Sequence, residues 1–460
     1  MSDATIRIRR LPVRLEPSQR RVLLRPFLPS LVVKPALAEG DGPALEDGEA
    51  EGSTADPSAA DSPAGPDRLH QLEQHLAGLS AAEVEAQLGR LRRRFQGRHL
   101  DLEELADRHQ RAVVAQLPGL EGWDSDRLLL LGCYLTHEYA LESAALFNPS
   151  LVPHPDQRGL AAAERRVVLS LRATGEGHIS SIVFRTGVLA ANGELGLEEP
   201  SPFVQQGEIR RPGPTGRHYE VHYGPGGDLS QRVLFPATAE ESNGLEDARF
   251  VAFEEGDSRR WFATCTAYDG REVRIQAIET LDFRHFRLWP LEGQAIRNKG
   301  LALFPRRVGG RWLMLGRQDG VNVHLMESDD PNRWDRAEPL LRPREPWEFV
   351  QLGNCGSPIE TEAGWLVLTH GVGPMREYGI GAALLDRHDP SRVIGRLRQP
   401  LLTPLEEERN GYVPNVVYSC GGLVHGSQLV LPYAVSDRAS RIALVDLADL
   451  LTAMDDSRPG

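Results

Sequence analysis

Cysteine is scarce and scattered, with 4 residues in a chain of 460. Cys133, Cys265, Cys355 and Cys420 form no CxxC pair, which excludes a disulfide framework and a zinc ribbon and leaves ordinary reduced thiols. Long apolar runs are absent too. Nothing approaches the roughly 20 residues that cross a bilayer, so a membrane-spanning enzyme is excluded and no membrane partner is expected. Arg7, Arg9 and Arg10 near the N-terminus are followed by neither an apolar segment nor a small-residue cleavage site, so no secretory signal is read there and the expected compartment is the cytoplasm.

Negative charge is present but localised. Of the formal −13, nine charges come from Glu39, Asp41, Glu46, Asp47, Glu49, Glu51, Asp56, Asp61 and Asp67. No Lys, Arg or aromatic residue lies among them. Residues 38–67, rich in Ala, Gly, Pro and Ser, cannot bury enough apolar surface to offset ordering entropy, and read as a disordered linker. Residues 1–37 are basic: between Ile6 and Pro29, Arg7, Arg9, Arg10, Arg14, Arg20, Arg21 and Arg25 stand against Glu16 alone, with short alternations such as Ile6 and Ile8, Val22 and Leu24. The segment lacks the Lys and aromatic interleaving of a nucleic-acid arm, and no second basic patch follows. It reads as a strand-like arm packed on this chain or a neighbour, with no nucleic-acid partner.

Residues 68–146 read as helical. Leu69, Leu72, Leu76 and Leu79, then Val84, Leu88 and Leu91, recur at three and four residues. Ser80 and Glu83 have capping-box spacing. Two further helices are expected over residues 102–117 and 126–146. His137 and Glu138 begin an HExxH-like string, but Leu141 takes the second histidine's place and excludes a zincin site. The region reads as a helical extension through which the chain could form homo-oligomers.

From residue 147 onward the helical period gives way to a repeat of strand, turn, strand, loop, strand. One copy runs Leu303-Phe304-Pro305, Gly309-Gly310, Trp312-Leu313-Met314-Leu315, Val321-Asn322-Val323-His324-Leu325-Met326. Another runs Ser357-Pro358-Ile359, Ala363-Gly364, Trp365-Leu366-Val367-Leu368, Ile380-Gly381-Ala382-Ala383-Leu384. A third begins at Asn415, and weaker copies start at Asp247 and Asn148. Five copies over residues 147–460 predict an all-β five-bladed β-propeller with an N-terminal α-helical extension.

Equivalent positions in successive blades surround one axis. Those closing the second strand hold Arg172, Tyr268, Arg317, His370, and Tyr433 followed by Asp437. Those at the start of the first strand hold Asn148, Asp247 with Arg249, Lys299, the Gly356-Ser357-Pro358 turn, and Asn415. Taken singly, Arg317 reads as a surface arginine and His370 as a hydrogen-bonded structural histidine. Their recurrence where a sheet interior should be apolar points to a common polar funnel. Glu246, Asp247 and Arg249 form a cluster in which one acid can be raised and another held ionised by the guanidinium.

The strings Gly244-Leu245-Glu246-Asp247-Ala248-Arg249, Ala267-Tyr268-Asp269-Gly270, Leu303-Phe304-Pro305, Thr369-His370-Gly371, Gly381-Ala382-Ala383-Leu384-Leu385-Asp386, Asp389-Pro390-Ser391-Arg392-Val393-Ile394-Gly395-Arg396 and Val413-Pro414-Asn415-Val416-Val417 resemble glycoside hydrolase family 130. That family holds β-mannoside phosphorylases and a minority of β-mannosidases on a five-bladed propeller. The resemblance spans residues 147–451 and not the first 146.

It implies inverting phosphorolysis of a β-mannoside, such as β-mannobiose or a manno-oligosaccharide, to α-mannose 1-phosphate, with inorganic phosphate as co-substrate and no cofactor or metal. Phosphate is already anionic, so one carboxylic acid and a cationic cradle suffice. The resemblance assigns the acid to Asp247, passing its proton through a mannose hydroxyl, and the cradle to Lys299, Arg317, His370 and Gln351. Gln351 stands where the family's phosphorylases carry Lys, so one cation is lost. Asn148, Arg172, Glu246, Arg249, Tyr268, Asn415 and Asp437 are the expected sugar-binding residues. A β-mannoside hydrolase on the same site and a non-catalytic propeller scaffold are the alternatives.

Overall fold

The structure is a computed structural model describing residues 6–27, 68–114, 117–211 and 217–455. The acidic stretch 38–67 lies outside the described residues. The chain divides into two compact units, Leu24–Tyr139 and Met1–Leu23 with Ala140–Gly460.

In the first unit the apolar periodicity becomes four helices, α1 (Arg68–Ala77), α2 (Ala81–Phe95), α3 (Leu102–Arg111) and α4 (Ser125–Tyr134). The expected capping box starts α2: Ser80 N donates to Glu83 Oε2 at 2.8 Å and Glu83 N to Ser80 Oγ at 3.4 Å. Leu69, Leu76, Val84, Leu88, Leu130 and Leu131 share one buried cluster, the face that the spacing marks. Two helical expectations are corrected. The helix placed over 102–117 ends at Arg111, and the one placed over 126–146 ends at Tyr134, followed by strands Thr136–Glu142 and Ala145–Pro153. The helix stops at a β-branched residue whose hydroxyl competes for the helical carbonyls: Thr136 Oγ1 donates to Gly132 O at 2.7 Å.

In the second unit the repeats become antiparallel ladders. Ala145–Pro153, Arg165–Thr174 and Ser180–Leu189 pair in order, as do Gly244–Glu255, Ser258–Tyr268, Val273–Thr280 and His285–Pro290. A single bridge between Gly244 and Ser180 joins these two groups into one twelve-stranded sheet. Ala302–Leu303 leads a four-stranded sheet and Gln351–Asn354 a five-stranded one. In the last sheet Gln428–Val435 and Ala439–Asp446 are joined at the edge by Ile8–Leu15 from the basic arm. Arg7 reaches Asp449 and Asp446 there, and Arg10 the Thr403 carbonyl.

Consecutive groups of strands bury their apolar faces against each other. Phe253 with Trp312, Phe304 with Trp365, and Leu368 with Leu431 fall in three successive clusters. Phe184, Phe250 and Phe286 fill the core of the first two groups. Ala145 and Phe147 pack with Ala434, linking the last group to the first. Among the described residues no helix is long and apolar enough to cross a membrane.

Candidate active site

A regular strand sends consecutive side chains to opposite faces. In Gly244–Glu255 the register slips between Glu246 and Arg249, and Asp247 takes φ 53°. That bulge turns Glu246 and Asp247 toward the same guanidinium: Arg172 donates to Glu246 Oε1 at 2.7 Å and Asp247 Oδ1 at 3.4 Å. The strand Ala145–Pro153 slips in the same way between Phe147 and Ser150, and Asn148, at φ 49°, donates to Asp247 Oδ1 at 2.7 Å. Asn415 and Asp437 also adopt positive φ, 64° and 48°. A non-glycine residue at positive φ costs of order 1–3 kcal/mol, and such strain collects at functional sites.

Arg172 is fixed from three sides, since Nε also donates to Ser180 Oγ at 2.9 Å and its guanidinium lies 5.0 Å from the Phe147 ring. Arg249 donates to the Asn354 carbonyl at 2.8 Å and to the Tyr418 hydroxyl. Arg317 Nη1 lies 3.3 Å from His370 Nε2, and Gln351 Nε2 lies 3.4 Å from the same nitrogen. The His370 ring is stacked parallel to Tyr378 and tilted against Tyr418. Tyr418 thus touches both Arg249 and His370, tying the carboxylate half to the cationic half.

The electrostatics separate the two aspartates. Burial alone pushes the Asp247 carboxyl up, but Arg172, Lys299, the Asn148 hydrogen bond and Arg249 outweigh it and hold the group below the usual carboxylate range. Burial, reinforced by the Asp247 charge, pushes Asp437 up to about 6 against Arg172, Arg376 and Lys299. Burial, with Arg317 and Arg249 beside it, drives His370 well below its ordinary value. The imidazole is therefore neutral at pH 7 in the unliganded site. Burial lowers Arg317, but a guanidinium stays protonated.

The structure brings Asn148, Arg172, Glu246, Asp247, Arg249, Arg317, Gln351 and His370 into one network. Lys299 and Asp437 act on Asp247 through charge. Lys299 is exposed and precedes its strand, Ala302–Leu303, rather than starting it. Asn415 accepts from Arg409 Nε at 2.7 Å, two residues before Val417–Tyr418. Tyr268 ends its strand paired with Gly244, and none of the described side-chain contacts joins it to the network. Tyr433 is corrected outright: it is buried and donates to Glu408 at 2.7 Å, away from the cluster.

Sequence reading missed Tyr418 and Asn354. Tyr418 follows directly on the string Val413-Pro414-Asn415-Val416-Val417, but only the fold sets it beside Arg249. A compositional signal for Lys299 was also overlooked: Lys34 and Lys299 are the only lysines among 52 basic residues. Among buried polar atoms without a hydrogen-bond partner are Asn148 Oδ1, Asn354 Oδ1 and Arg317 Nε, within or beside this network. Carboxylates, guanidinium groups, amides and a neutral imidazole in one partly enclosed site suit a ligand with many hydroxyls and an anionic partner.

The comparisons with known proteins give the chain that carries this network a family. The family described as beta-1,4-mannooligosaccharide phosphorylase matches residues 228–456. The 1,2-beta-oligomannan phosphorylase of Thermoanaerobacter sp. (strain X514) is 32% identical over 226 residues, 48% of this chain and 75% of the relative. A beta-1,2-mannobiose phosphorylase of Listeria innocua is 29% identical over 252 residues, 52% of this chain and 66% of the relative. The solved structure of beta-1,2-mannobiose phosphorylase from Listeria innocua with beta-1,2-mannobiose superposes with a TM-score of 0.50 at 20% identity, covering 69% of this chain and 94% of that one. The chain belongs to glycoside hydrolase family 130.

Proposed function

We infer that the protein cleaves a β-mannoside by inverting phosphorolysis, on five groups of strands arranged as a propeller with an N-terminal helical extension. The shared cores between successive strand groups, and the link from last to first, support that architecture. The observation that carries the chemistry is a half-buried carboxylate, Asp247, held by Arg172 and by the charge of Lys299, in a network that runs through Arg249 and Tyr418 to Arg317 and His370. The relatives' phosphorylase activity supports the same reading.

In this reaction a phosphate oxygen attacks the anomeric carbon from the face opposite the glycosidic bond. The bond to the leaving oxygen breaks, and that oxygen takes a proton from Asp247 by way of a mannose hydroxyl. The products are α-mannose 1-phosphate and the remaining sugar, and no separate base is needed. Asp247 must carry a proton when the reaction begins, whereas its cationic neighbours keep it ionised in the unliganded site. A bound phosphate dianion neutralises part of the Lys299 and Arg317 field, and enclosure by the sugar removes water, so both substrates raise the Asp247 carboxyl toward protonation. Arg317 grips phosphate in bidentate fashion, Lys299 acts as a point charge, and His370 and Gln351 supply neutral hydrogen bonds.

The test is cleavage of β-mannobiose with and without phosphate, followed by product analysis. The expected result is α-mannose 1-phosphate, formed only when phosphate is present. Free mannose released at a rate indifferent to phosphate would overturn this reading in favour of hydrolysis.

A further inference from the structure

Two large side chains stand out from the loops that leave the cluster. Tyr412 is 75% exposed and Met375 88%. Residues 175–179 follow the strand holding Arg172, residues 373–377 follow the strand holding His370, and residues 406–415 precede the strand holding Tyr418. The first and third loops meet through their rings: the centroids of His178 and Tyr412 lie 5.9 Å apart at 33°. Both loops are anchored to the network's own backbone. The loop residue His178 is two positions from Ser180, which binds Arg172, and Val413 N donates to the carbonyl of Ser436, next to Asp437. The middle loop carries Met375 and Arg376 at φ 57° and 53°, and the Arg376 charge reaches Asp437. A cavity of about 320 Å³ lined by Trp347, Met375, Arg409 and Asn415 opens on the same rim.

An exposed aromatic face suits one part of a mannoside and not another. The faces of a pyranose ring are C–H surfaces that stack on aromatic rings, while its hydroxyls and a phosphate demand hydrogen-bonding partners. The mannose whose anomeric carbon reacts must lie against Asp247, among the guanidinium groups and amides. The sugar on the other side of the broken bond then projects toward the rim. We propose that Tyr412, braced against His178, is the stacking platform for the leaving sugar. This rests on the β-mannoside reading above and adds to it that the protein selects its substrate by a second sugar ring.

The test is titration calorimetry with mannose and with β-mannobiose, in the Asp247→Asn background, which keeps the disaccharide intact whichever nucleophile is used. Adding Tyr412→Ala should weaken β-mannobiose at least tenfold and leave mannose unchanged, while Tyr412→Phe should bind both normally. Unchanged β-mannobiose affinity, an equal loss for both sugars, or no binding of either sugar before Tyr412 is altered would each overturn the proposal. The phosphate dependence of cleavage in the unaltered protein is read separately, so hydrolysis would overturn phosphorolysis without touching the platform.

Discussion

Two sets of carboxylates in the strand-rich unit differ in almost every physical respect. Glu241, Glu348 and Glu408 sit in short helical turns preceding inner strands and are 0%, 0% and 3% exposed. Glu241 accepts from Tyr219, Gln276 and the amide of Ala237, and Glu408 from Tyr433, Arg441 and the amide of Leu405. Each holds a turn against its sheet, and Glu241 and Glu408 are bonded through both carboxylate oxygens, whereas Glu348 is held through Oε2 by Arg396 and the amides of Arg344 and Glu345 while its Oε1 lacks a partner. Glu246, Asp247 and Asp437 lie in a partly open cluster, at or beside strained backbone, near polar atoms that still lack partners. A buried acid whose lone pairs are all used is a structural strut. One held by charges rather than by a full shell of donors can change its protonation state when a ligand arrives.

That contrast separates activity from stability, and substitutions can break it. Asp247→Asn should lower turnover by roughly 10²–10⁴-fold, the range of a positioned acid, while the melting temperature stays near that of the parent. Near-normal turnover would remove Asp247 from the acid role. Glu408→Ala should do the reverse, since breaking a buried pair costs about 3 kcal/mol. Urea denaturation should show that loss, with kcat/KM retained at temperatures where the variant is folded. Arg317→Ala removes a charge-assisted contact worth about 1.5–3 kcal/mol, so steady-state kinetics should show a phosphate KM raised at least tenfold and a much smaller change in the sugar KM.

The smallest effect concerns Asp437 and is a pH dependence. Its folded value of about 6 lies above the ordinary carboxylate value near 4, so the folded state binds the proton more readily across that window. Stability is therefore present below the lower value and is lost as pH rises through 6. Melting temperatures of the parent and of Asp437→Asn, compared from pH 4 to pH 7, should diverge in favour of the variant up to about 6 and run parallel above. Parallel curves throughout would mean that Asp437 is not perturbed.

Part of the cluster was legible because chemistry-bearing residues recur where strand interiors should be apolar. Asp247, Arg172, Arg317 and His370 emerge from that recurrence. Tyr433 emerged from it too and was misplaced, because whether a residue at a strand's end faces the network or the neighbouring core depends on register and bulges. The struts left a pattern that was overlooked: Pro236, Pro343 and Pro404 precede Glu241, Glu348 and Glu408 by five, five and four residues. The strand from Thr136 to Glu142 was read as helix because it follows directly on the leucine-rich helix, and a single β-branched residue marks the change.

Local order determined the amphipathic helices, the capping box at Ser80, the strand-and-turn repeats and the presence of an acid-and-arginine string at residues 246–249. Each follows from periodicity or short-range hydrogen bonding, which act between near neighbours and leave their mark in a few consecutive residues. Only the tertiary structure decided that the basic arm ends as an edge strand of the last sheet, that Tyr418 couples Arg249 to His370, and that Asp247 is held low while Asp437 is pushed up. Those outcomes depend on distances between residues up to several hundred positions apart and on how much water remains between them, and neither quantity is encoded in any short window of sequence.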